Sequence, residues 1–425
     1  MDTDYNLIIV GAGISGLNCA LQLQDRYKIL IIEKNERVGG RIYTYKQKYK
    51  NNLYKLEGGA GRISSSNLYL FNLLTKLDIS NNDLLQISNK KKYIPIDSKT
   101  LKYDTNILLK SILQCQIYYK ESYLKSIYLI DYCKIILGIQ KAEYLSKSFG
   151  YNRLFYNSNA WDGLLSLKNN FNKYDSFYVF KQGYEYLLDK LLFNLDSTKV
   201  KFLLNTEFEK YNYSRIQNNF QIQLKNNATK LYCQKIILSL PPNVISELSL
   251  PYIQTLKFKN ILKSIQSICL CRIYCIYDKN KKGKIWFEKL NKVTTDNELQ
   301  YIIPINVKTG AIMISYSDNL FAKYWSSLYY NDLNKFKNIL LFKLKQLFPN
   351  LDIPHPRYIK FFFWEHGSHY YKINSDSNRI IKNVCKPSST KEIYICNDAF
   401  SSNQNWVEGS IKSSQNVIDN LLKKK

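Results

Sequence analysis

Apolar and polar positions follow two different periods along this chain, and the switch between them outlines its opening elements. Leu7-Ile8-Ile9-Val10 is a short, β-branched run without a polar break, the pattern of a buried strand. From Leu17 to Leu23 the apolar spacing becomes helical, and Lys28-Ile29-Leu30-Ile31-Ile32 returns to strand. Further on, Ser176 to Tyr184 leads into a helix at Glu185 to Phe193, followed by strand-like segments at Val200 to Leu204 and Lys235 to Leu240. The last of these stops at Pro241-Pro242, where the backbone cannot continue a ladder. The run Ile268 to Ile276 is apolar on both faces except at Arg272, as a strand covered on both sides would be. Near the end, Lys391 to Cys396 reads as a strand. A closing helix then carries Ile411, Val417, Ile418 and Leu421 on one face.

The turns between these elements carry the chemistry. Gly11-Ala12-Gly13-Ile14-Ser15-Gly16 joins the first strand to the first helix. In such a turn Gly11 permits the sharp bend, Gly13 lets the backbone approach a pyrophosphate, and Gly16 lets helix and strand pack closely. The helix N-terminus then faces the phosphates with free N–H groups. The second strand ends at Glu33, spaced to accept hydrogen bonds from ribose hydroxyls. Lys34 beside it offers a ribose 2′-phosphate partner, but Glu33 would repel that phosphate. Two further glycine turns, Val38-Gly39-Gly40-Arg41 and Leu56-Glu57-Gly58-Gly59-Ala60-Gly61-Arg62, each end in a guanidinium that can pair with phosphate oxygens. Three glycine clusters and one acid in this order point to FAD rather than NAD.

With those residues in view, the chain resembles the flavin amine oxidases, a family that includes monoamine, polyamine and L-amino-acid oxidases. Its C-terminal part resembles them too, since Asn397-Asp398 and Asn403-Gln404-Asn405-Trp406-Val407-Glu408-Gly409 stand where the family has an acid-bearing turn and a Gly-Trp-x-Glu-Gly segment. The resemblance implies that Asp398 binds the ribityl or pyrophosphate region of FAD, that the backbone near Val407 faces flavin N1, and that the adenine contact falls near Phe208. Asn397 and Asn405 replace family glycines, and Gln182 replaces another. Asn tolerates left-handed backbone better than most residues. Arg272 stands where relatives often place a lysine linked through water to flavin N5. The competing reading for it is a buried salt bridge to Asp278 or Glu288. Phe361 to Tyr371 resembles the segment beside the flavin ring, so Tyr370 and Trp406 would wall an aromatic cage. No cysteine lies between Cys275 and Cys385, so the FAD is expected to be non-covalent. His369 is a weaker attachment candidate. Relatives that oxidise amino acids carry an arginine matching Arg62, which grips the substrate carboxylate. The same guanidinium could serve the FAD pyrophosphate instead.

The implied architecture is α/β: a discontinuous Rossmann-like FAD-binding domain (residues 1–78, 176–250 and 388–425) with an inserted α+β substrate domain (79–175 and 251–387), of the amine-oxidase, GR2-type kind. The polar stretch Ser80 to Asn89 is the expected exit from the first part. At 425 residues the chain suits two domains. The expected reaction is hydride transfer from the amine-bearing carbon, followed by imine hydrolysis and peroxide release. Its partners would be an amine, polyamine or amino acid, and molecular oxygen. Two other readings are an oxidase or desaturase of lipophilic substrates resembling protoporphyrinogen oxidases, and a flavin-free binding module resembling Rab GDP-dissociation inhibitors. Glu33, Arg41 and Asp398 argue against the latter.

Composition adds limits. No apolar stretch reaches membrane-spanning length and the first strand starts by Tyr5, so a soluble, cytoplasmic protein is expected. Nine cysteines without a regular framework fit a reducing compartment. Cys269, Cys271 and Cys275 alternate on one strand and read as core residues rather than metal ligands. Three histidines make a zinc site an unattractive reading. The net charge of +27 comes with lysines spread among asparagines and 36 tyrosines, so nucleic-acid binding is not expected. The runs Lys90-Lys91-Lys92, Lys279 to Lys284 and Lys423-Lys424-Lys425 read as solvated turns and a tail.

Overall fold

Five parallel strands form the frame on which the site is built. In the computed structural model, which describes residues 4–97, 99–170 and 175–422, they lie side by side in the order Ile393–Ile395, Asn227–Leu238, Tyr5–Val10, Ile29–Ile32, Val200–Leu203. Two antiparallel strands complete a seven-stranded sheet: Asn219–Leu224 pairs with the first part of Asn227–Leu238, and Phe208–Ser214 pairs with Asn219–Leu224. Leu7, Ile8 and Ile9 are fully buried, because successive side chains enter the cores on opposite faces of the sheet. Burying each contributes about 1.5–3 kcal/mol.

One face of this sheet is covered by two helices from opposite ends of the sequence. Leu17 and Ala20 of Ile14–Leu23 share a core with Ile411, Val417 and Ile418 of Val407–Leu422. Two polar contacts fix their relative height. The Ser15 hydroxyl donates to the Ser410 carbonyl (3.1 Å), and the Asn18 amide donates to the Ser414 hydroxyl (2.8 Å). Both helix N-termini are thereby brought to the same cleft.

The second sheet has six strands in the order Tyr358–Tyr371, Ile265–Ile276, Ala311–Asp318, Tyr301–Asn306, Lys292–Thr294, Lys91–Tyr93. Cys269, Cys271, Ile273 and Cys275 point from Ile265–Ile276 into a core shared with the helices Asn319–Asn331 and Leu333–Leu347. The intervening Leu270, Arg272 and Tyr274 face the cleft. A set of helices from Thr105 to Asn170 packs on Ile268 and Tyr370.

Several sequence expectations are corrected at their edges. The first helix begins at Ile14, three residues before its apolar periodicity is visible, because Gly13 is already its N-cap. The strand expected to run to Leu240 ends at Leu238, and it starts as early as Asn227. Ser80 to Asn89 is not a bare connection: Leu84–Ile87 pairs with Phe177–Phe180 in a three-stranded sheet. The run Lys423-Lys424-Lys425 lies outside the described residues. Among the described residues, no helix is long and apolar enough to cross a membrane.

Candidate active site

The cleft between the two sheets opens into one cavity of about 1320 Å³, above the roughly 300–1,000 Å³ of an ordinary small-ligand site. Its walls run from the glycine turns through Arg62 and Arg272 to Trp406 and Val407. That is room for a dinucleotide and a substrate together.

At one end the backbone itself is the binding surface. Gly11 has φ +103°, and a Cβ there would lie 2.6 Å from the Ser239 carbonyl oxygen, so its glycine is required by the fold. A Cβ on Gly16 would lie 2.1 Å from the Gly11 carbonyl oxygen, which is the close helix–strand packing expected of it. Gly13 is different. Its φ of −71° and ψ of 173° suit any residue, and a Cβ there would meet nothing within 4 Å. Neither backbone nor packing calls for glycine at Gly13, whereas a phosphate seated on the N–H groups of the helix start does. Gly40, at φ +57°, stands beside it, with its would-be Cβ 3.5 Å from the Gly13 Cα. Glu33 is held at the cleft by the Ala12 N–H (2.9 Å) and by the backbone and side chain of Asn35. The segment through Thr206 and Phe208 passes next to it, with the Thr206 N–H donating to the Glu33 carbonyl (2.9 Å). Lys34 lines the mouth and is exposed. These residues fit a flavin dinucleotide.

Arg41 and Asp398 pair with each other: the Arg41 guanidinium reaches the Asp398 carboxylate and also donates to the Gly367 carbonyl (3.0 Å). Burial disfavours the Asp398 charge, yet Arg41 and His369 hold its carboxyl well below the usual carboxylate range. His369 is fully buried, with Nδ1 3.5 Å from Asp398, and is absent from the cavity wall. Asn405 sits at φ +71°, the left-handed conformation anticipated for it, and its side chain clips both the N–H and the C=O of His369. Asn397 does not share that conformation. It is extended, at φ −171°, and its side chain caps the turn at Ala399.

The other end is aromatic and cationic. The Arg62 guanidinium lies 4.5 Å from the Phe177 ring, 5.1 Å from Trp406 and 5.7 Å from Tyr151. Arg272 donates to the Glu57 carbonyl (2.8 Å) and lies 4.8 Å from the Tyr316 ring, while the Tyr274 hydroxyl reaches the same carbonyl (2.9 Å). Arg272 also rests over the third glycine turn, since a Cβ on Gly61 would lie 3.2 Å from its Nη1. Among the described residues Arg272 makes no salt bridge to Asp278 or Glu288, and Asp278 pairs with Lys50 and Arg357 instead. Burial pushes the Glu57 carboxyl up to about 7, against hydrogen bonds from the Tyr184 N–H and the Thr44 hydroxyl. Tyr370 and Trp406 both line the cavity, joined by Tyr151, Tyr301 and Tyr316. Those three tyrosines escaped sequence reasoning because rings are so frequent here that none stands out. Gly150 (φ +85°) directly before Tyr151 was the one local signal.

The fold is α/β, of the amine-oxidase, GR2 type. It matches structures of putrescine oxidase (TM-score 0.76, 14% identity, 99% of both chains) and of a putative protoporphyrinogen oxidase from Exiguobacterium (TM-score 0.73, 14% identity, both chains in full). Residues 9–77 match the NAD(P)-binding Rossmann-like domain family. An L-amino-acid oxidase from Siganus canaliculatus is 41% identical over 66 residues, covering 15% of this chain and 12% of that protein. A probable flavin-containing monoamine oxidase A from Dictyostelium discoideum is 29% identical over 157 residues, covering 36% of this chain and 32% of its relative. In sequence the chain is thus similar to flavin-containing amine oxidases over part of its length, and in fold to putrescine oxidase along its whole length. The aligned stretches span about an eighth to a third of these two curated relatives.

Proposed function

We propose that this protein is an FAD-dependent oxidase of amines, with L-amino acids as its substrate branch and its FAD bound without a covalent link. The observation that carries the branch is the setting of Arg62. It lies by the rings of Phe177, Trp406 and Tyr151 at the aromatic end, whereas Arg41 pairs with Asp398. A guanidinium set among rings at the aromatic end stands where a substrate carboxylate would need a planar, cationic partner.

Bound FAD would supply a two-electron acceptor for the substrate hydride and a path for the electrons to molecular oxygen. Overall, the amino acid, oxygen and water become a keto acid, ammonia and hydrogen peroxide. The chain's own part is orientation and electrostatics. Arg62 fixes the carboxylate and so aims the amine-bearing carbon. Trp406, Tyr370, Tyr151 and Tyr316 exclude water and, with the nearby cations, favour the neutral amine from which hydride can leave. The N–H groups at the start of Val407–Leu422 stabilise negative charge at the cleft. Arg272, set by the Glu57 carbonyl and Tyr316, brings a fixed positive charge to the same space.

The test is anaerobic reduction of the flavin by L-amino acids in wild type and Arg62→Ala. Losing a bidentate ionic contact should lower kcat/KM for amino acids about 100-fold or more while FAD stays bound. Loss of FAD in the variant would assign Arg62 to the cofactor and remove the amino-acid branch.

A further inference from the structure

Within the field of Arg62, the last two strands of the second sheet each begin with a lysine, and one of the two lines the cavity wall. Lys91–Tyr93 pairs in parallel with Lys292–Thr294, with Lys91 and Lys292 in register. Lys292 lines the cavity together with Lys90, Ser88 and Asn291. The ammonium of Lys292 donates to the Ser88 carbonyl (2.5 Å). That of Lys91 turns in to the Phe149 carbonyl (2.6 Å) and lies 4.6 Å from the Phe149 ring, although the residue as a whole keeps much of its surface exposed.

Among the described residues neither lysine has a carboxylate within ion-pairing distance. The neighbouring acids are engaged elsewhere, Asp296 with the Ile96 N–H (2.8 Å) and Glu298 with Lys343 (2.8 Å). Segments 85–90 and 290–292 contribute no acid to this wall. Burial, reinforced by the field of Arg62, pushes the Lys292 ammonium down to about 8, and burial pushes Lys91 down as well. A lysine pointing into bulk water would pay neither penalty. Like charges gathered on one wall are unfavourable unless the cavity's ligand brings the opposite sign.

We propose that Lys292, with Lys91 behind it, forms a second anion subsite, so that the preferred substrate is an L-amino acid whose side chain carries an anion of its own. The proposal rests on Arg62 taking the α-carboxylate. It disfavours cationic diamines, whose second ammonium would meet this wall. Charge, not length alone, would set the choice: L-glutamate and L-glutamine differ little in shape but differ by one negative charge at the position facing Lys292.

The experiment uses the FAD-loaded protein and compares kcat/KM for L-glutamate, L-aspartate, O-phospho-L-serine and L-glutamine, in wild type, Lys292→Gln and Lys292→Arg. L-Glutamate should exceed L-glutamine at least 20-fold in wild type. Lys292→Gln should shrink that ratio about tenfold and Lys292→Arg should retain it. Ranking the three anionic substrates tells carboxylate from phosphate. A second readout is independent of turnover: glutarate, which cannot be oxidised at an amine, should raise the melting temperature more than butyrate does in wild type, and equally in Lys292→Gln. L-Glutamine matching L-glutamate, with both reducing the flavin, overturns the second subsite and leaves the amino-acid reading standing. If no L-amino acid reduces the flavin, that reading falls, and equal stabilisation by glutarate and butyrate in wild type then overturns the subsite too.

Discussion

Gly11 and Gly13 are two residues apart, yet they should respond to substitution in opposite ways. Gly11→Ala places a methyl group 2.6 Å from a backbone carbonyl at a φ of +103°. Positive φ alone costs an L residue about 1–2 kcal/mol, and the clash can be relieved only by moving backbone, so a loss of about 3 kcal/mol or more is expected. Gly13→Val has neither problem: the backbone is extended, and nothing lies within 4 Å of the new Cβ. Its apoprotein should lose only the difference between a glycine and a valine N-cap, about 1 kcal/mol. What Gly13→Val should lose is FAD. An isopropyl group over the helix start keeps a phosphate from the N–H groups, and a lost ionic hydrogen bond is worth about 1.5–3 kcal/mol. That corresponds to roughly 10- to 150-fold in Kd. The assay is denaturant unfolding of the apoprotein, together with FAD titration followed by flavin fluorescence quenching. Gly13→Val binding FAD as tightly as wild type, or losing as much stability as Gly11→Ala, would refute the reasoning that a phosphate and not the fold selects this glycine.

Three other outcomes follow from the site. Asn405→Ala removes two hydrogen bonds to His369 and places alanine at φ +71°, so it should lower stability by about 2–4 kcal/mol in equilibrium unfolding. Glu57 has a folded pKa of about 7 against about 4.3 unfolded. The folded state therefore holds the proton more tightly, its contribution is full below pH 4, and it is lost as pH rises towards 7. Relative to Glu57→Gln, wild-type apoprotein should weaken by up to about 3 kcal/mol between pH 4.5 and pH 8, and a difference independent of pH would contradict this. Arg272→Met should slow anaerobic flavin reduction about 100-fold, with Arg272→Lys recovering part of the rate. An unchanged rate in Arg272→Met would remove Arg272 from the reacting space.

The nucleotide end was legible in the sequence because its chemistry depends on backbone, and backbone demands are written as glycines at fixed spacing. Gly11 and Gly16 act as their positions implied, one by turn and one by packing, while Gly13 has open space over its would-be Cβ. The parallel strands were visible because β-branched runs buried on both faces have no polar interruption. The aromatic end was only partly legible. Tyr370 and Trp406 follow from resemblance, but Tyr151 and Tyr316 reach the cavity through tertiary packing that no local period announces. The partner of Arg272 was hidden for a similar reason: it is a main-chain carbonyl, that of Glu57, and carbonyls carry no sequence signature. Lys91 belongs to a run that reads as a solvated turn and Lys292 carries no signal of its own, yet strand register places them side by side. The same holds for Asn405, whose left-handed backbone could be anticipated while its clip to His369 could not.

The most direct measurement is anaerobic. Purified protein is mixed with L-amino acids in the absence of oxygen, its visible absorbance is followed, and the chromophore is then released by acid precipitation. The account predicts a yellow protein that bleaches with an L-amino acid and yields FAD in the acid supernatant. A folded protein that stays colourless in excess FAD would contradict it.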